Sequence, residues 1–192
     1  MKIGFLGGSF DPVHFGHLMA AQDAFEHGGL DRVIFVPAAQ APLKSGVVRA
    51  SAQERLAMLE HALAGDTRFG ISDHELQRGG TSYTIDTIRH FRTEFPNDEL
   101  HWVIGTDQLP GLHRWKEIES LVSLLEFIVL ARPGHQDLSP VNIAGLRMRR
   151  CPGHLLELSS TEIRERVRSG LALDYFMPHK TIEYVRETGL YR

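Results

Sequence analysis

Apolar residues in this chain fall into short continuous runs separated by stretches of helical period. The runs are Ile3-Gly4-Phe5-Leu6 and residues 32–36, 69–72, 100–104, 127–130 and 155–158. Most are unbroken rather than alternating, the pattern of parallel strands covered on both faces. Between them, residues 18–25 read as helix, with Gly28-Gly29 in the position where helices end. Ser51-Ala52-Gln53-Glu54 is a capping box, followed by a core-facing stripe of Leu56, Leu59 and Leu63 that stops at Gly65. Ile85, Ile88, Phe91 and Phe95 line one side of another helix, ended by Pro96. Ser159 and Glu162 predict a helix opening straight after the sixth run, and residues 180–191 a closing helix capped by Gly189. This βαβα alternation predicts an α/β fold: a doubly wound, mostly parallel sheet with helices on both faces. At 192 residues the chain suits one domain, 1–192. Residues 136–150 are polar and mixed and predict no element.

Composition narrows the partners. Hydrophobic residues make up 42% and charged residues 23%, ordinary for a soluble globular protein. The net charge of −3, with both signs interspersed, offers no extended surface for nucleic acid. Cys151 is the sole cysteine, so no intrachain disulfide can form. The longest apolar stretch, residues 121–131, is interrupted by Glu126 and too short to span a membrane. Met1-Lys2 leads into a strand, not a signal peptide. The expectation is a reduced, cytoplasmic protein without membrane or nucleic-acid partners, a homo-oligomer remaining open.

Candidate chemistry concentrates where the first strand meets the first helix, at Gly7-Gly8-Ser9-Phe10-Asp11-Pro12-Val13-His14-Phe15-Gly16-His17. In doubly wound sheets ligands bind beyond the carboxyl ends of the strands. Gly7 and Gly8 let backbone approach a bulky anion, and Asp11-Pro12 reads as a turn. His14 and His17, three apart, point the same way from the first helical turn, beside free backbone N–H groups at the positive end of the helix dipole. A zinc site would need a third or fourth ligand that no Cys or His cluster supplies. Neither a G-x-x-x-x-G-K-[ST] loop nor a G-x-G-x-x-G fingerprint occurs.

Four further stretches sit at strand or helix ends. Residues 37–44 form a Pro-bounded loop ending in Lys44, with Arg49 beyond; an ordinary surface loop has the same features. Gly79-Gly80-Thr81-Ser82-Tyr83-Thr84 leads into a helix and is either an anion site or simply a cap by Ser82 or Thr84. Gly105-Thr106-Asp107 ends the fourth run, with Trp115 eight residues after Asp107 as a core plug or a stacking platform. Arg132 falls at the end of the fifth run. Ser159-Ser160-Thr161-Glu162-Ile163-Arg164 brings three hydroxyls and an arginine fork to a helix start, a set that can hold phosphate oxygens.

The opening string resembles the His-x-Gly-His signature of the nucleotidyltransferases, and its Phe-Asp-Pro form resembles the bacterial nicotinate mononucleotide adenylyltransferases. The resemblance covers essentially the whole chain and implies a Rossmann-like nucleotidyltransferase fold. It implies that His14 and His17 bind the triphosphate of ATP, and that Ser159, Ser160, Thr161 and Arg164, similar to the second superfamily signature, bind its β- and γ-phosphates. Gly7, Gly8, Ser9, Phe10, Gly105 and Asp107 complete the ATP site so implied, with His14, His17 and Arg164 catalytic. Ser82, Tyr83 and Thr84 resemble the segment that receives the nicotinate carboxylate, and Trp115 the residue that stacks on the pyridine ring. Ser9, Lys44 and Arg132 join that mononucleotide site, although Leu43 departs from the His often found before the loop cation.

The implied reaction joins nicotinate mononucleotide to the α-phosphorus of ATP, releasing pyrophosphate. With a second pKa near 6, the attacking phosphate is largely deprotonated near neutral pH, so no general base is required. Mg²⁺ is expected on the triphosphate, held by phosphate oxygens and water without a metal motif. The rivals are a superfamily relative acting on phosphopantetheine or a polyol phosphate, and a non-catalytic nucleotide-binding regulator. Ser82-Tyr83-Thr84 with Trp115 opposes the first, and the intact histidines and Ser-Ser-Thr-x-Ile-Arg string oppose the second.

Overall fold

A computed structural model describes residues 1–42, 48–132, 134, 141–154 and 156–192. Six strands form one wholly parallel sheet in the order β3-β2-β1-β4-β5-β6: β1 Lys2–Gly8, β2 Arg32–Pro37, β3 Phe69–Ile71, β4 Glu99–Gly105, β5 Glu126–Leu130 and β6 Met148–Cys151. Winding reverses between β1 and β4, which places a crevice at their carboxyl ends.

Neighbouring residues of each central strand feed opposite cores, which is why the apolar runs are unbroken. Leu6, Phe35, Val103 and Ile128 face α1 (Phe15–Gly28), α2 (Ala52–Leu63), α6 (Ser160–Arg168) and α7 (His179–Thr188). Phe5, Ile34, Ile104 and Val129 face α4 (Thr84–Glu94), α5 (Ile118–Leu124) and the 3-10 helix Thr106–Arg114. A short helix, α3 (His74–Arg78), precedes α4 and carries no apolar period that would have revealed it. Gly29 ends α1 with φ 61°, and Gly189 follows α7 with φ 70°, the left-handed turns their type allows. Among the described residues no helix is long and apolar enough to cross a membrane.

Several expectations change. The sixth strand is Met148–Cys151, inside the stretch that predicted nothing, and the described part of 155–158 is irregular, with Leu156 and Glu157 exposed. An edge strand needs one neighbour and one covered face, so Arg149 and Arg150 are tolerated in it and blunt the edge. Helix α6 therefore follows a loop, not a strand, although Ser159 Oγ still accepts from Glu162 N at 3.2 Å. The Ser51–Glu54 capping box of α2 is present, but the helix buries Arg55 and Met58 with Leu59 and Leu63, while Leu56 is half-buried. The N-cap of α4 is Tyr83; Ser82 instead turns inward, its Oγ accepting from Ala39 N at 2.9 Å.

Candidate active site

The turn between β1 and α1 is built by close approach. A Cβ on Gly7 would stand 2.6 Å from the Trp102 ring, so only glycine lets β1 end there. Phe10 is buried with φ 49°, a left-handed conformation rare for a large side chain, and its ring meets the His17 edge at 4.9 Å. His14 is the N-cap of α1 and 3% exposed. Its ring stacks on His17 at 3.7 Å and 26°, and its backbone N–H donates to His17 Nδ1 at 3.3 Å. Both imidazoles do leave the same side of the helix start. Not every first-turn amide is available, however: Phe15 N donates to Phe176 O at 2.9 Å.

Beneath the turn lies a network that the sequence did not reveal. Asp11, 4% exposed, accepts from Arg49 N at 2.8 Å, Ala50 N at 3.0 Å and Tyr191 Oη at 2.8 Å. Burial first, and Asp11 second, hold the Tyr191 proton on far above its usual range. Arg55 N–H groups reach Ser9 O at 2.8 Å and Ala38 O at 2.7 Å, tying β1's exit to β2's. Burial pushes the Arg55 pKa below its ordinary value, partly offset by Asp11. An arginine inside the apolar stripe of α2 was the available signal.

The second phosphate string docks on the same turn. Arg164 donates to Asp11 O at 2.7 Å and to Thr161 Oγ1 at 2.9 Å, and Ser160 Oγ donates to Pro12 O at 2.9 Å. Ser159 and Thr161 line an open groove along α6 rather than the crevice.

Two cavities meet at Gly7 and Gly8. The larger, about 500 Å³, is lined by His17, Gly105, Asp107, Arg132, Gly153 and His154, among others. The smaller, about 220 Å³, is lined by Ser9, Ser82, Tyr83, Thr84, Glu75 and Lys116, with Gln108, Arg114 and Trp115 in both walls. Trp115 is set edge-on to Phe127 at 6.0 Å, and Lys116 lies 4.7 Å over the Tyr83 ring and 3.1 Å from Asp86. Arg132, grouped by the sequence with the mononucleotide, stands in the larger cavity, 3.9 Å from Asp107. Lys44 lies outside the described residues. Glu75, Gln108, Arg114, Lys116, Asp23 and His154 are wall residues that no motif singled out. Among the described residues no three His, Cys, Asp or Glu side chains could together hold a metal ion.

A cytidylyltransferase-like family model matches residues 5–166. A protein of Opitutus terrae named probable nicotinate-nucleotide adenylyltransferase is 62% identical over 192 residues, covering 100% of this chain and 98% of that one. One from Thermus thermophilus with the same name is 42% identical over 193 residues, covering 100% of both. The Plasmodium falciparum nicotinic acid mononucleotide adenylyltransferase complexed with NaAD shares the fold with a TM-score of 0.81, at 20% identity over 99% of this chain and 97% of that one.

Proposed function

The chain belongs to the nicotinate-nucleotide adenylyltransferases, and we infer from that membership that it transfers the adenylyl group of ATP to nicotinate mononucleotide. The products are nicotinate adenine dinucleotide and pyrophosphate. The observation that carries the reading is the pair of cavities sharing Gly7 and Gly8, one bordered by His17 and the other by a helix N-terminus and a tryptophan.

In this reading ATP fills the larger cavity with its phosphates toward His17, over the start of α1, where the helix dipole favours anions. The stacked His14–His17 pair presents preorganised donors to charge that builds on the transferring phosphate. Asp107 and Arg132 border the same space. Arg164 reaches the phosphates only from behind the turn, with two of its five donors already accounted for by Asp11 and Thr161. ATP arrives as its Mg²⁺ complex, the ion carried by phosphate oxygens as part of the substrate.

The mononucleotide occupies the smaller cavity, its ring against Trp115. Its carboxylate faces the N-terminus of α4, where the amides of Thr84 and Ile85 precede the first bonded turn, while Asp86 N donates to Tyr83 O at 3.0 Å. Arg114 and Lys116 supply two cations to the wall against the one carboxylate of Glu75, which accepts from Thr87. Nicotinamide places an NH₂ donor where these donors wait, so the acid is favoured over the amide. Catalysis is in-line positioning with electrostatic stabilisation, and the attacking phosphate needs no base.

Pyrophosphate release from ATP, followed separately with nicotinate mononucleotide, its amide counterpart, phosphopantetheine and glycerol phosphate, tests this. Release should be fast with the acid and at least about tenfold slower with the amide. Equal use of acid and amide removes the carboxylate site; release with another acceptor alone overturns the function.

A further inference from the structure

The larger cavity contains a polar pair that the reaction as described leaves unused. Asp23, on α1, is 2% exposed, and both its oxygens engage one residue of the loop after β6. His154 N donates to Oδ2 at 2.8 Å, and His154 Nδ1 stands 2.7 Å from Oδ1. A carboxylate oxygen at that distance requires the proton on Nδ1, so Asp23 sets the tautomer. The neutral ring then carries its lone pair on Nε2. The His154 side chain is 60% exposed and belongs to the cavity wall.

The position along α1 matters as much as the chemistry. Asp23 lies six residues beyond His17, about 9 Å up the helix at 1.5 Å per residue. Phosphates gathered at the helix start therefore leave the far end of the nucleotide near His154. The wall there is apolar, with Leu130, Ala131 and Leu156. It is also close-built: a Cβ on Gly153 would stand 3.2 Å from Ala131 O. An apolar slot with one fixed acceptor at its edge suits a flat base bearing an amine.

We propose that His154 reads the purine of ATP, Nε2 accepting a hydrogen bond from the exocyclic amine at C6, with Asp23 as its positioning residue. The proposal rests on the larger cavity being the ATP site. A 6-oxo purine sets a lone pair against Nε2, so the same contact rejects it.

Calorimetric titration of the full chain with Mg²⁺–ATP and with Mg²⁺–ITP tests this without the second substrate. The wild type should favour ATP, and His154→Ala should cut that preference about tenfold while leaving nicotinate mononucleotide affinity unchanged. In Asp23→Asn the amide donates to Nδ1 and drives the proton to Nε2, so preference should turn toward ITP. His154→Ala keeps the backbone bond from His154 N to Asp23, so it remains informative if Asp23→Asn does not fold. An unchanged ATP-to-ITP ratio in His154→Ala, whether both affinities fall together or neither falls, overturns the proposal. A wild type that binds no ATP overturns the larger reading as well; one that binds ATP and releases pyrophosphate, yet keeps its ratio in the variant, sinks this inference alone.

Discussion

Gly16 shows how finely one residue sets the site. It lies in the first turn of α1, where alanine would ordinarily add about 1 kcal/mol of helix stability. Yet a Cβ there would stand 3.0 Å from both Cε1 and Nδ1 of His14, so the ring must shift by a few tenths of an ångström. That shift disturbs the 3.7 Å stack on His17. Gly16→Ala should therefore hold its unfolding free energy within about 1 kcal/mol of wild type while turnover drops about tenfold. Thermal melts and steady-state rates on one preparation decide it, and undiminished turnover would show that Gly16 does not position the pair. The histidines were legible because the whole string from Gly7 to His17 is local. Arg55 and His154 were harder to read, because Ser9 and Asp23, which they engage, lie 46 and 131 positions away in the chain.

At the scale of elements, signal strength followed burial. The central strands carry unbroken apolar runs because both their faces are covered. The edge strand β6, with two arginines among its four residues, carries almost none, and the run at 155–158 read more like a strand than it did. What replaces the expected strand is the loop that holds Gly153 and His154 over the crevice. The segment after α7 is equally silent in sequence, since nothing near Tyr191 announces that its hydroxyl will reach Asp11. Tyr191→Phe removes that 2.8 Å bond to a buried carboxylate. Hydrogen bonds to charged groups are worth about 1.5–3 kcal/mol, and the half-buried tyrosine puts this one near the lower end. Urea unfolding should show a loss of about 1.5 kcal/mol with an unchanged m-value, and KM for ATP should rise because the turn at Asp11 loosens. A loss below about 0.5 kcal/mol would mean that Arg49 and Ala50 suffice to hold Asp11.

The whole molecule responds to pH through a group far from the chemistry. His101 sits on β4, 1% exposed, beside Glu126 on β5, and among the described residues neither ring nitrogen has a hydrogen-bond partner. Burial pushes its pKa below the ordinary 6.5, outweighing the nearby Glu126. Burial and His90 lower His74 in the same direction. The unfolded chain then binds more protons than the folded one just below pH 6.5. Stability is accordingly full above about 6.5 and declines as pH falls from there toward the folded-state values. His101→Leu should flatten that decline without abolishing it, as read from urea midpoints between about pH 8 and 5; an unchanged slope would clear His101 of the effect. The alternation of runs and helices was enough to predict the sheet, but not its strand order, since order depends on which crossovers turn back. That reversal is also what brings the two cavities side by side. Asp11, finally, binds residues 49, 50 and 191 and passes its carbonyl to Arg164. Protein synthesis runs from the N-terminus, so the first four strands leave the ribosome with residues 49 and 50 already available to Asp11, but well before Arg164 and Tyr191 exist. The growing chain thus passes through a stage with four of the six strands and a turn held only by residues 49, 50 and 55. Nucleotide binding by a nascent chain would report that the last clamp has arrived, not that the sheet has formed.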